Sequence, residues 1–145
     1  MRLFLAMAAG IVALLCLGGV GVFVSLYDDA TKIKRTEPDA VVDSFLGAYL
    51  VNRDDAQADL YVCKSGADLS SLAAYRTTMT NIERDKSVGI RVTWSSLTVV
   101  TTGARRNVTT ELTQTATDGA RLGETWSFDL QDQDGWRVCG AAKVS

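Results

Sequence analysis

Few residues in this 145-residue chain can do chemistry, and histidine is absent altogether. That absence removes the commonest general base and the commonest metal ligand together. What remains is a pair of cysteines in the polar part of the chain, Cys63 and Cys139, three tryptophans, and a scatter of carboxylates. There is no Cys-x-x-Cys, so zinc is not expected, and no other metal, cofactor or catalytic residue is expected either. Two cysteines are the minimum for one intramolecular bridge. A Cys63–Cys139 disulfide made in an oxidising compartment is the favoured expectation; two buried free thiols in a cytoplasmic domain are the alternative. In the chain-entropy model such a bridge contributes roughly 4 kcal/mol, a large share of a small domain's stability.

The other polar and aromatic residues have two readings each. Trp94 and Trp126, with Phe45 and Tyr49, line a pocket or fill the space between helices and sheet, as aromatic side chains more often do. Trp136 is open to the same choice. Glu124, inward on its strand by alternation, would need a partner such as Arg137 or Arg121. Arg105-Arg106 reads as a solvated charge pair at a hairpin tip. Asn107-Val108-Thr109 fits a glycosylation acceptor pattern, one short enough to arise by chance. The net charge of −2 shows no basic excess, so nucleic acid is not an expected partner.

Those residues must be held by elements, and the first 27 residues stand apart. Residues 3–26 carry no charge. As a helix rising ~1.5 Å per residue they reach roughly 36 Å, enough for a hydrocarbon core of about 30 Å. The expectation is an uncleaved, single-pass transmembrane anchor over 1–27. A signal peptide would have a shorter apolar region and a small-residue cleavage site. A lipoprotein would use Cys16, but Leu15 stands where a small residue belongs. Residues 28–37 read as a juxtamembrane linker whose Lys32, Lys34 and Arg35 lie near anionic headgroups, at about 1 kcal/mol each. A plain count of Lys and Arg would put the long tail inside, yet long domains translocate regardless of that count. The cysteine pair favours an extracytoplasmic domain at the plasma membrane.

Residues 38–145 divide by periodicity. Thr36 and Asp39 resemble a capping box, and Pro38 suits a first turn. Val41, Val42, Phe45, Leu46, Ala48 and Tyr49 form a helical apolar stripe. A second helix fits 54–62, with Ala56, Ala58 and Leu60 inward, and a third fits 70–84, with Leu69, Leu72, Ala73, Met79 and Ile82 inward and Gly89 as its stop. From Ile90 alternation takes over. A first strand runs from Ile90 past Val99 with a bulge near Ser95-Ser96. A second spans 107–117, a third 121–130 after the Asp118-Gly119 turn, and a fourth begins at Trp136. Helices before an antiparallel meander mean an α+β domain with the helices on one sheet face.

Helices first, a curved meander next, and a last strand opening Asp134-Gly135-Trp136-Arg137-Val138 resemble the NTF2-like (cystatin-like) superfamily over about residues 38–144. More narrowly the chain resembles small actinobacterial membrane-anchored proteins, such as the Mce-associated membrane proteins and VirB8-related conjugation proteins. The resemblance implies a cone of three helices on a curved four-stranded antiparallel sheet, open at one end. Enzymes of that superfamily use an Asp or His base with a Tyr or Asp donor. The His–Asp version is excluded here, and Tyr49, Tyr61 and Tyr75 with Asp43 or Asp59 match no recognised spacing. The expected function is therefore a non-enzymatic accessory or scaffold protein of a cell-envelope transport or secretion assembly, with an envelope protein as partner. The alternative is a binding module for a small apolar molecule or lipid.

Overall fold

A computed structural model describes residues 35–144. The expected anchor over 1–27, and the linker apart from residues 35–37, lie outside the described residues. Among the described residues no helix is long and apolar enough to cross a membrane.

The helical part begins with α1 (Pro38–Leu46), which continues as a wider π-helical turn, Gly47–Asn52. Pro38 occupies the first turn, where its missing N–H costs nothing. The expected capping box does not form: Glu37 is the N-cap and makes no side-chain cap bond. The stripe holds, with Val41, Val42, Phe45, Leu46 and Ala48 buried, and Leu50 joins it. The second helix is shorter than its pattern. It covers only Asp55–Asp59 (α2), capped by Asp54, whose carboxylate accepts from the Gln57 N–H at 3.0 Å. Ala58 is its buried residue, whereas Ala56 and Leu60 are exposed. The third helix, Ser70–Lys86 (α3), buries Leu72, Tyr75 and Met79. Ala73 faces solvent and Ile82 is half-buried. It stops at Ser87 rather than Gly89: Ser87 adopts the left-handed conformation and donates its N–H to the Glu83 carbonyl.

The sheet has five strands, not four: β1 (Ile90–Trp94), β2 (Thr98–Thr102), β3 (Arg105–Ala116), β4 (Arg121–Asp132) and β5 (Trp136–Lys143). β1 and β2 are the two halves of the expected first strand, and both pair antiparallel with β3. Trp94 faces Leu112 and Thr98 faces Thr109, so four steps on one side oppose three on the other. The extra residue lies at Ser95–Leu97 and divides the strand. The Ser95 hydroxyl meets the Thr110 hydroxyl and accepts from the Glu111 N–H, which takes up groups freed from the ladder. The order along the sheet is β1/β2, β3, β4, β5.

A second bulge has a larger consequence. Asp129 pairs with Gly140 but Leu130 pairs with Val138, so Cys139 is the unpaired residue of β5. One face of the sheet carries Val92, Val108, Leu112, Trp126, Phe128, Leu130 and Val138, all buried against the helices. Burying this face against one helical layer gives the α+β arrangement that alternation implied.

Candidate functional site

The cysteines are brought together as expected. Cys63 and Cys139 form a disulfide with Cα atoms 5.0 Å apart, joining positions 76 residues apart in sequence. Both are buried. The bridge fastens the segment 61–68 along the free edge of β5. Backbone bonds run from the Val138 N–H to the Tyr61 carbonyl (2.8 Å), from Cys63 to Val138 (2.9 Å) and from Asp68 to Cys139 (2.8 Å). Arg137, beside them, is almost fully buried. It donates to the carbonyls of Gln133, Leu60 and Val62 at 3.1–3.2 Å. Leu60 also accepts from Arg35 at 2.8 Å. Burial pushes the Arg137 guanidinium below its usual value, and the like charge of Arg35 adds to this. Arg137 therefore holds the chain that follows α2, and its side chain is taken up by carbonyls.

The four aromatic residues expected to line a pocket occupy different places. Phe45 is wholly buried, stacked on Tyr49 (ring centroids 5.5 Å apart) and edge-on to Phe128 (6.5 Å). Tyr49 is half-buried, with the Arg76 guanidinium 4.6 Å from its ring centre. Arg76 also pairs with Asp55. Trp126 is buried and edge-on to Tyr75 at 5.2 Å. Trp94 is half-buried and donates its indole N–H to Asp43 at 2.8 Å, tying β1 to α1. Trp136 lies at the sheet end under Arg106, 4.9 Å from the ring centre.

Glu124 does face the helical side, half-buried, but its partner is Lys143 at 2.7 Å rather than Arg121 or Arg137. The register decides this. Trp126 pairs with Lys143, so the lysine lies one strand across and diagonal to Glu124, while Arg121 and Arg137 occupy positions of the opposite parity on their strands. Sequence reasoning missed Tyr75 as a buried polar residue. Its hydroxyl is buried without a hydrogen bond of good geometry, as is the Trp126 indole N–H. Burial raises the Tyr75 phenol above its ordinary value; Gln114 lies near enough to oppose this and Glu124 to add to it.

Clefts lie at the margins of the domain. One of about 160 Å³ sits between the end of α3 and the β3–β4 hairpin, lined by Ile82, Ile90, Ala116 and Leu122 with Lys86 and Arg121 at the rim. A larger, open one of about 650 Å³ shares Ile90, Ala116 and Arg121 and adds Arg91 and Thr115. Neither cleft is lined by Phe45, Tyr49, Trp94 or Trp126; Tyr49 lines a separate one on the outer side of α3, with Arg76 and Thr80. Among the described residues no group of three or more carboxylates and cysteines is placed to hold a metal ion.

No family model matches the chain, and no curated protein matches it in sequence. Several solved structures are similar. Bd1075 of Bdellovibrio bacteriovorus is 13% identical, with a TM-score of 0.51, over 71% of this chain and 37% of that one. The chain thus spans little more than a third of that relative. An NTF2-like protein of unknown function from Burkholderia pseudomallei is 13% identical over 72% of this chain and 86% of its own, with a TM-score of 0.41. A Pseudomonas putida protein named as a polyketide cyclase is 9% identical over 76% and 92%, with a TM-score of 0.45. At such identities likeness concerns the fold alone: an α+β domain with helices on one face of a curved antiparallel sheet.

Proposed function

We propose that this chain is a non-enzymatic, single-pass membrane-anchored accessory protein of a cell-envelope transport or secretion assembly, with its α+β domain outside the cytoplasm. The resemblance to NTF2-like and Mce-associated membrane proteins, the charge-free residues 3–26 and the disulfide support this reading. The observation that carries it is the occupancy of the domain interior. Phe45 meets Phe128 edge-on and Trp126 meets Tyr75 edge-on, all four buried between sheet and helices, where an NTF2-like binder or enzyme would keep its cavity. Asp43, one of the two carboxylates considered for catalysis, accepts from Trp94, and the inward Glu124 is paired with Lys143.

A second reading, a binding module for a small apolar molecule or lipid, has one observation in its favour. The apolar cleft at Ile82, Ile90 and Leu122 is rimmed by Lys86 and Arg121. It lies at the margin of the domain, beside the open cleft of about 650 Å³, rather than between helices and sheet, and this places it second.

The test is crosslinking in intact cells, followed by purification of the full-length chain and mass spectrometry of what it retains. Envelope proteins lost on deletion of residues 38–145 are the expected result. A clean monomer carrying a lipid, or partners that survive the deletion, would overturn the proposal.

A further inference from the structure

The two edges of the sheet are treated differently. At β5 the segment 61–68 is hydrogen-bonded along the edge and stapled there by the disulfide. At the other side β2 pairs only with β3. Its outward N–H and C=O groups meet no backbone partner among the described residues. Proteins usually blunt such an edge with lysine, proline or a covering segment. Thr98-Val99-Val100-Thr101-Thr102 has no charge and no proline, and all five residues are exposed, Val100 at 52%. Its shortness and the bulge at Ser95–Leu97 before it are the protections left.

The surroundings say what fits. Val100 and Thr102 share the sheet face opposite the helices, and Arg105 lies beside Thr102 on β3. Arg105 is exposed and makes no ion pair among the described residues. A cleft of about 390 Å³ runs along this corner past Val100, Thr102, Arg105, Asn107 and Asp129, whose carboxylate accepts from the Asn107 amide at 2.8 Å. A strand added outside β2 would lie two strand spacings, roughly 10 Å, from β3. A glutamate opposite Thr102 would reach Arg105 over the short threonine side chain, and an apolar residue opposite Val100 would complete a cross-strand pair. A second copy of β2 offers Val100 to Val100 but holds no carboxylate for Arg105, which favours a different chain.

We propose that the β2 edge docks an extended segment of a partner protein as a sixth, antiparallel strand, read by Val100 and by a carboxylate on Arg105. This rests on the assembly reading and names its surface. The probe is a capped heptapeptide, Thr-Glu-Thr-Val-Val-Thr-Thr, and its counterpart with lysine for glutamate, titrated into the full-length protein in mild detergent. Hydrogen exchange is read by mass spectrometry. The acidic peptide is expected to protect the amides of 98–102. Val100→Lys, at an exposed position, should weaken binding roughly ten-fold or more by putting a charge on the edge. Arg105→Glu should cost the acidic peptide about five-fold and favour the basic one. Absence of protection at 98–102 with either peptide overturns the inference. So does protection that rises with protein concentration alone, which would mean a second copy. Crosslinking the Val100→Lys variant in cells separates the two claims. Partners retained by it leave the assembly reading standing without this edge, whereas no partners even for the unaltered chain removes the assembly reading itself.

Discussion

Removing the Cys63–Cys139 bridge is the perturbation whose size follows most directly from the structure. The bridge closes a loop across 76 residues. In the chain-entropy model a loop of that length lowers the stability of the unfolded state by about 4.5 kcal/mol at 25 °C, of which native disulfides commonly deliver about 2–4. For a domain of this size each kcal/mol moves the melting temperature by roughly 4–8 °C, so a fall of roughly 10–30 °C is expected. The variant is Cys63→Ala with Cys139→Ala, which removes the crosslink and little volume. Reduced, unaltered protein is the companion that keeps both sulfur atoms. Circular-dichroism melts supply the magnitude. Hydrogen exchange supplies the place, because the amides of Cys63 and Asp68, bonded to Val138 and Cys139 carbonyls, should open first. A melting temperature within about 2 °C of the oxidised protein, with unchanged exchange at those amides, would refute the claim that the bridge holds the β5 edge.

Gly135 has φ +94°, and a Cβ there would stand 2.7 Å from the Arg35 Cβ. Gly135→Ala should therefore cost at least about 1–2 kcal/mol in urea denaturation. Tyr75→Phe removes a buried hydroxyl that lacks a good partner, and the melt should be unchanged or slightly higher, within about 1 kcal/mol. The Arg53 guanidinium at 2.8 Å, then the Ile90 N–H at 3.0 Å, hold the Glu83 carboxyl below its ordinary value of 4.5. A folded value below the unfolded one means the contribution is full above 4.5 and is lost as pH falls through the lowered value. Glu83→Gln should flatten that acid limb in a series of melts from neutral pH downward.

Periodicity determined much of this domain without help. The stripe from Val41 to Ala48 had to be a helix packed on something, because residues three and four apart share a face. Trp126, Phe128 and Leu130 had to share a buried sheet face, because strand side chains alternate. The turn at Asp118-Gly119 was readable from residue type. The count of cysteines outside residues 3–26 admitted one pairing. Tertiary structure decided what local pattern cannot encode. Which strand lies beside which chose Lys143 for Glu124, since a cross-strand partner depends on register between distant segments. The bulge near Ser95-Ser96 was readable in the sequence, but the second one, which puts Cys139 out of the ladder, was not. The open edge at β2 was invisible in sequence, because the residues Thr98–Thr102 read the same whether a neighbour covers them or not. Only the order of strands leaves that edge outermost and the other one sealed.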